Sequence, residues 1–133
     1  MAIHKFQPGE SVTFTAGGDI TDGQLVVVSG DREVTAATAA TGEAAIGTAA
    51  TDANSGDGVL VLLGGVQRIT AASDVTAGDL IVAADGGKVA AIADVTTPTA
   101  GDVTATRGVI GIALTSVDVS EADDDRVEVR LFR

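Results

Sequence analysis

The sequence repeats itself. Asp19-Ile20-Thr21-Asp22-Gly23-Gln24-Leu25-Val26-Val27 is matched by Asp74-Val75-Thr76-Ala77-Gly78-Asp79-Leu80-Ile81-Val82, 55 residues further on. At the same offset Phe14-Thr15-Ala16 matches Ile69-Thr70-Ala71, and Val34 with Ala36 matches Val89 with Ala91. Later, Ala45-Ile46-Gly47 pairs with Val109-Ile110-Gly111, and Asp57–Leu63 with Asp125–Leu131, at offsets of 64 and 68, so the second copy carries insertions. Like segments adopt like structures, and a repeat therefore constrains a fold more than local propensity does. The expected organisation is an N-terminal arm, residues 1–8, and a single β domain, residues 9–133, built from two units of about 9–63 and 64–131. Neither unit is expected to fold well alone, so the two should bury apolar faces against each other about a pseudo-twofold axis. The largest insertion, Ala93–Arg107, holds Pro98 and many Thr, Asp and Gly residues and reads as a long exposed loop, either a contact segment or a tolerated insertion.

Within the repeat the signals are those of strands and turns. Short apolar runs rich in β-branched residues are bounded by Gly, Asp, Asn or Ser, which places strands over Ser11–Ala16, Gln24–Ser29, Glu33–Ala36, Ala45–Ala49 and Gly58–Leu63 in the first unit. The second unit offers Gln67–Ala71, Leu80–Ala84, Lys88–Ile92, Val109–Leu114 and Arg126–Phe132. The last alternates strictly, with Val127, Val129 and Leu131 facing a core and Arg126, Glu128 and Arg130 facing solvent or a partner. Gly23 and Gly78 sit where a tight turn feeds a strand, the pairs Gly17-Gly18, Gly64-Gly65 and Gly86-Gly87 punctuate the chain, and Asp85-Gly86 is a hairpin signal. Ala36–Ala45 has helical propensity but no apolar stripe, and is expected as loop or strand. The expected fold class is all-β: a small β-clip-like or barrel-like sandwich built from the two repeated units.

Composition then limits what such a fold can do. The chain has 133 residues, 45% of them hydrophobic but only 2% aromatic, so its core is made of Val, Ile, Leu and Ala and buries little area per residue. Association with partner surfaces would supply burial that a small monomer lacks. The formal net charge of −11 repels a phosphate backbone and disfavours nucleic acid as a partner. Fourteen Asp against five Glu, with Lys5 and Lys88 the only lysines, fits either a high-salt source or a GC-rich genome. No run reaches the roughly 18 apolar residues of a membrane span, and the amino terminus lacks a signal-peptide pattern, so a soluble, cytosolically made protein is expected.

Chemistry-bearing residues are sparse. There is no Cys, and the single histidine, His4, lies among short mixed residues before Pro8, where a catalytic triad has no support. Asp123-Asp124-Asp125 lacks the alternating ligands and central Gly of a calcium loop and reads as a solvated turn. Asn54-Ser55-Gly56-Asp57-Gly58 offers loop oxygens but also reads as an ordinary connection. Gly86-Gly87-Lys88 resembles the end of a phosphate-binding loop, yet Val89 stands where Ser or Thr is required. Carboxylates are plentiful, but no aromatic sugar platform accompanies them. No catalytic residue, cofactor or metal site is expected. Arg68, Arg107, Arg126, Arg130 and Arg133 stand out on the acidic background, and arginine suits charged hydrogen bonding across interfaces as well as surface ion pairing. Arg126 and Arg130 are the interface candidates among them, together with Ile3, His4 and Phe6 of the arm.

Taken in order, Gly-Glu-Ser-Val-Thr-Phe, Gly-Gln-Leu-Val-Val-Val, Ala-Ile-Gly-Thr-Ala, Gly-Asp-Gly-Val-Leu-Val-Leu-Leu-Gly-Gly-Val, Ala-Gly-Asp-Leu-Ile-Val and Gly-Val-Ile-Gly-Ile-Ala-Leu span nearly the whole chain. This succession resembles the small capsid decoration, or cement, proteins of tailed phages and tailed archaeal viruses. The resemblance implies a non-enzymatic virion protein on the capsid exterior. Its partners would be the major capsid protein and itself, commonly as a homotrimer that locks neighbouring shell subunits. It carries no catalytic residues over to this chain. The alternatives are a carbohydrate- or cation-binding β module and a tail or spike component of the virion.

Overall fold

The computed structural model describes residues 11–92, 108–120 and 125–132. Among the described residues ten strands follow one another: β1 (Ser11–Ala16), β2 (Leu25–Gly30), β3 (Glu33–Ala36), β4 (Ala45–Ala49), β5 (Gly58–Leu63), β6 (Val66–Thr70), β7 (Leu80–Ala84), β8 (Lys88–Ala91), β9 (Val109–Ala113) and β10 (Arg126–Leu131). The sequence expectation of ten strands holds, with several ends moved by a residue. In the alanine-rich stretch the expectation needs one amendment, because Gly42–Ala44 forms a single 3-10 turn. Asp85–Gly87 does the same between β7 and β8.

The first five strands close into a barrel of order β1-β3-β2-β4-β5, in which β1 pairs antiparallel with β5 and parallel with β3. The second five form a sheet of order β6-β10-β9-β7-β8. Replacing each strand by its repeat equivalent turns one order into the other. Where β1 and β3 pair through Thr15↔Glu33 and Ala16↔Val34, the second unit has one parallel bridge, Ala71↔Val89. The bridges Ile20↔Ala53 and Val75↔Val117 also correspond. Loop hydrogen bonds repeat too: Gly23 N–H donates to Ala49 O at 2.9 Å, and Gly78 N–H to Ala113 O at 2.8 Å. The sequence repeat is thus a repeat of hydrogen-bond topology.

Alternation decides what fills each unit. Val59 and Val61 of β5, Val26 of β2, Val34 of β3 and Ala16 and Ala49 point into the first barrel with Ile20. A five-stranded barrel is too narrow for rings, and β-branched or small side chains fill it. That is a physical reason for a core almost free of aromatics; Phe14 is only partly buried at its edge. A second cluster holds Ile69, Ile81, Val89, Ile110, Val127 and Val129 of the second unit, but also Leu25, Val27, Ala37 and Ala45 of the first. Those four belong to the outside of the first barrel. The units therefore pack through this face, and their joint is continuous with the second core.

The joint is not a pseudo-twofold, contrary to the sequence expectation. Gln24 Nε2 donates to Gly86 O at 3.1 Å, Gly87 N–H to Ala37 O at 2.9 Å and Ala39 N–H to Asp85 Oδ1 at 2.9 Å. All three join the start of β2 and the segment after β3 to the turn that follows β7. A twofold would give equivalent residues equal burial, yet Leu25 is 0% exposed and its equivalent Leu80 is 43% exposed. Ala83 is 5% exposed and its equivalent Val28 is 46% exposed. Each unit uses a different face, so the packing is heterologous.

Candidate functional site

Because the joint covers the outer face of the first unit, the corresponding face of the second stays open. Its composition follows from register. Arg130 of β10 stands opposite Val66 of β6 and Ile112 of β9, and Ile112 stands opposite Leu80 of β7. Ile92 extends the row, its N–H donating to Leu80 O at 2.9 Å. Directly opposed residues share a sheet face, so these side chains form one band across the five-stranded sheet. Val66 and Leu80 are exposed and Ile92 and Ile112 half-buried. Beside the band, Glu128 stands opposite Arg68, and exposed Leu114 donates its N–H to Glu128 O at 2.8 Å. The equivalent row of the first unit, Leu62, Thr48, Leu25 and Ala37, has its last three members buried under the joint.

The two arginines singled out from the sequence do lie on one strand face, but they meet different surroundings. Arg130 is exposed in the middle of the apolar band. Arg126 is half-buried at the joint, its guanidinium so close to Gly23 that a Cβ there would come within 3.0 Å of Cζ. Ile3, His4 and Phe6 lie outside the described residues, as do Asp123 and Asp124 and the insertion 93–107.

Among the described residues, aspartates take part in the turns. Asp19 Oδ1 accepts the Ser55 N–H at 3.1 Å, and its repeat equivalent Asp74 Oδ1 accepts the Val119 N–H at 3.0 Å. Asp52, Asp79, Asp85 and Asp118 likewise accept backbone N–H groups. A short carboxylate reaches a nearby backbone N–H where Glu is too long, so part of the Asp excess is a requirement of the loops. Asp19 and Asp74 occupy the same position of the sequence repeat. The Asn54–Gly58 segment is a turn of this kind, with Asp57 N–H donating to Asn54 O at 3.0 Å and Gly56 at φ 91°. Among the described residues no three His, Cys, Asp or Glu side chains gather as a metal site, and no helix is long and apolar enough to cross a membrane.

A family model described as phage cement protein matches residues 6–131. The chain belongs to this family. Cement proteins are structural components of phage particles, and membership makes this chain a capsid-associated virion protein. The fold agrees with a solved structure, the head fiber gp8.5 N base of bacteriophage phi29, at a TM-score of 0.63 and 21% identity over 92% of each chain. Among the curated proteins none matches. An exposed apolar band such as the one on the second sheet is the general mark of an interaction surface.

Proposed function

We propose that this cement protein binds the outside of the capsid shell as a homotrimer and stabilises it by joining neighbouring copies of the major capsid protein, without catalysis. The observation that carries the reading is the family match across nearly the whole chain. The net charge of −11 agrees with a protein partner rather than nucleic acid. The N-terminal arm supplies shell contacts through Ile3, His4 and Phe6. Burying Phe6 against a partner would contribute roughly 1.5 to 3 kcal/mol.

Purified protein added to undecorated particles tests this. Near-stoichiometric binding and raised resistance of the shell to heat are expected, with density on the outer surface in a cryo-EM reconstruction. Deleting residues 2–7 should leave the melting temperature nearly unchanged and abolish binding. Unchanged occupancy by the truncated protein would move the contacts to the loops, with Ala93–Arg107 the next segment to delete.

A further inference from the structure

The joint between the two units has two halves, and each half exists twice in the chain. One half is the outer face of β2 and β4, occupied in the first unit; its repeat equivalent is the band of Leu80, Ile92 and Ile112. The other half is the end of β7 with the turn after it, beside Gln67 of β6, occupied in the second unit. Its exposed equivalent is the end of β2 with the turn Gly30–Arg32, while Val12, the equivalent of Gln67, is buried within the first unit. Each chain therefore carries one used copy of both halves, an open copy of the first, and an open copy of the strand end and turn of the second. The burial differences show this: Leu25 is covered and Leu80 open, Ala83 covered and Val28 open.

We propose that the open face around Leu80 in one copy docks on the β2–β3 turn around Val28 in a second copy, head to tail, repeating between chains the joint found within the chain. The occupant is set by the internal joint, which shows that this unit surface fits the other. Beside Leu80 the open face is more apolar than the covered one, with Ile112 where the first unit has Thr48 and Ile92 where it has Ala37, while further along the row Arg130 stands where it has Leu62. Charge agrees at the turn. Gln24 packs on Gly87 within the chain; their equivalents across the joint between chains are Asp79 and Arg32, of opposite sign. The joint between chains is quasi-equivalent, not identical. A Cβ on Gly87 would lie 2.7 Å from Gln24 Cβ, so Arg32, which has a side chain, must stand further from its partner. Heterologous contacts close into a ring when the rotation allows; the ring of three rests on the homotrimer proposed above.

Two variants and their mixture test the inference by native mass spectrometry. Leu80→Glu spoils one half of the joint and Val28→Glu the other. Both positions are exposed in the single chain, so melting temperatures should stay near that of an isolated folded chain. The unmodified protein is expected to be oligomeric, each variant monomeric, and an equimolar mixture to give a 1:1 dimer, because one intact joint remains between the two variants. A mixture that stays monomeric, or a Val28→Glu protein that still assembles, overturns the head-to-tail joint. So does a monomeric unmodified protein, as expected if another segment of the same chain covers the face. Binding to undecorated particles is read separately. A monomer that decorates sinks this inference together with the homotrimer and leaves the capsid reading standing, and a head-to-tail oligomer that never binds particles sinks the capsid reading alone.

Discussion

Gly86 and Gly87 are chain neighbours with φ of 77° and 70°, and their surroundings are opposite. A Cβ on Gly86 would meet nothing within 4 Å, whereas one on Gly87 would lie 2.7 Å from Gln24 Cβ. Gly86→Ala should therefore cost only the left-handed backbone term, about 1 to 2 kcal/mol. Gly87→Ala adds overpacking at the joint and should cost about 2 to 5 kcal/mol in total. Thermal or urea melts of the two variants check this, and equal losses would show that the joint yields easily. The sequence marks both glycines as turn residues, but only the packing of the first unit separates them. Arg32, the equivalent of Gly87, is exposed and keeps a φ of 54° with a side chain. Its guanidinium donates to Thr13 O at 3.2 Å and lies 5.1 Å from the Phe14 ring centroid.

At the scale of elements, the joint contains a buried hydrogen bond between two side chains. Thr48 Oγ1 on β4 donates to Gln67 Oε1 on β6 at 3.0 Å, and Gln67 Nε2 donates to Gly64 O at 2.8 Å. Thr48→Val strands the Gln67 oxygen and should cost about 1 to 3 kcal/mol. Adding Gln67→Leu to it removes the stranded oxygen, so the double variant should lose less than the sum of the singles by about 0.5 to 3 kcal/mol. Strict additivity in a double-mutant cycle would mean that the two side chains do not act together. Strand pairing imposes a second rule on the repeat. A Cβ on Gly47 would run into the Leu62 carbonyl oxygen, and one on Gly111 into that of Arg130. Each glycine admits a close backbone approach between neighbouring strands. Gly47→Val and Gly111→Val are expected to lower the melting temperature by similar, large amounts, reflecting on the order of 3 kcal/mol or more. Their recurrence in Ala-Ile-Gly and Val-Ile-Gly was legible, since a lone Gly inside a strand pattern marks such an approach.

For the molecule as a whole, charge is the open variable. Asp19, Asp22, Asp31, Asp52, Asp57, Asp74, Asp85 and Asp118 are all exposed, and the formal charge of −11 makes them repel one another. Raising salt from about 0.1 to 1 M shortens the screening length from about 10 to 3 Å. The melting temperature is expected to rise with it if the acidity is an adaptation to salt. A flat or falling melting temperature assigns the balance to genome composition and to the turns, where the six bonded aspartates already account for part of it.

The sequence determined the strands, their turns and the equivalence of the two units, because alternation and turn chemistry are local and the same local pattern occurs twice. It also determined that β10 would bury Val127, Val129 and Leu131, since an alternating strand in a half-buried sheet has only one apolar side. The tertiary structure decided how the units meet. Leu25 and Leu80 stand at the same place in similar local sequences, and the alternation around them does not distinguish the one that is covered from the one that is open. That difference arises from docking unlike faces, a long-range choice set by shape at Gly42, Gly87 and Gln67. It moves Arg126 into the joint and leaves Arg130 on the surface, although periodicity places both on one strand face.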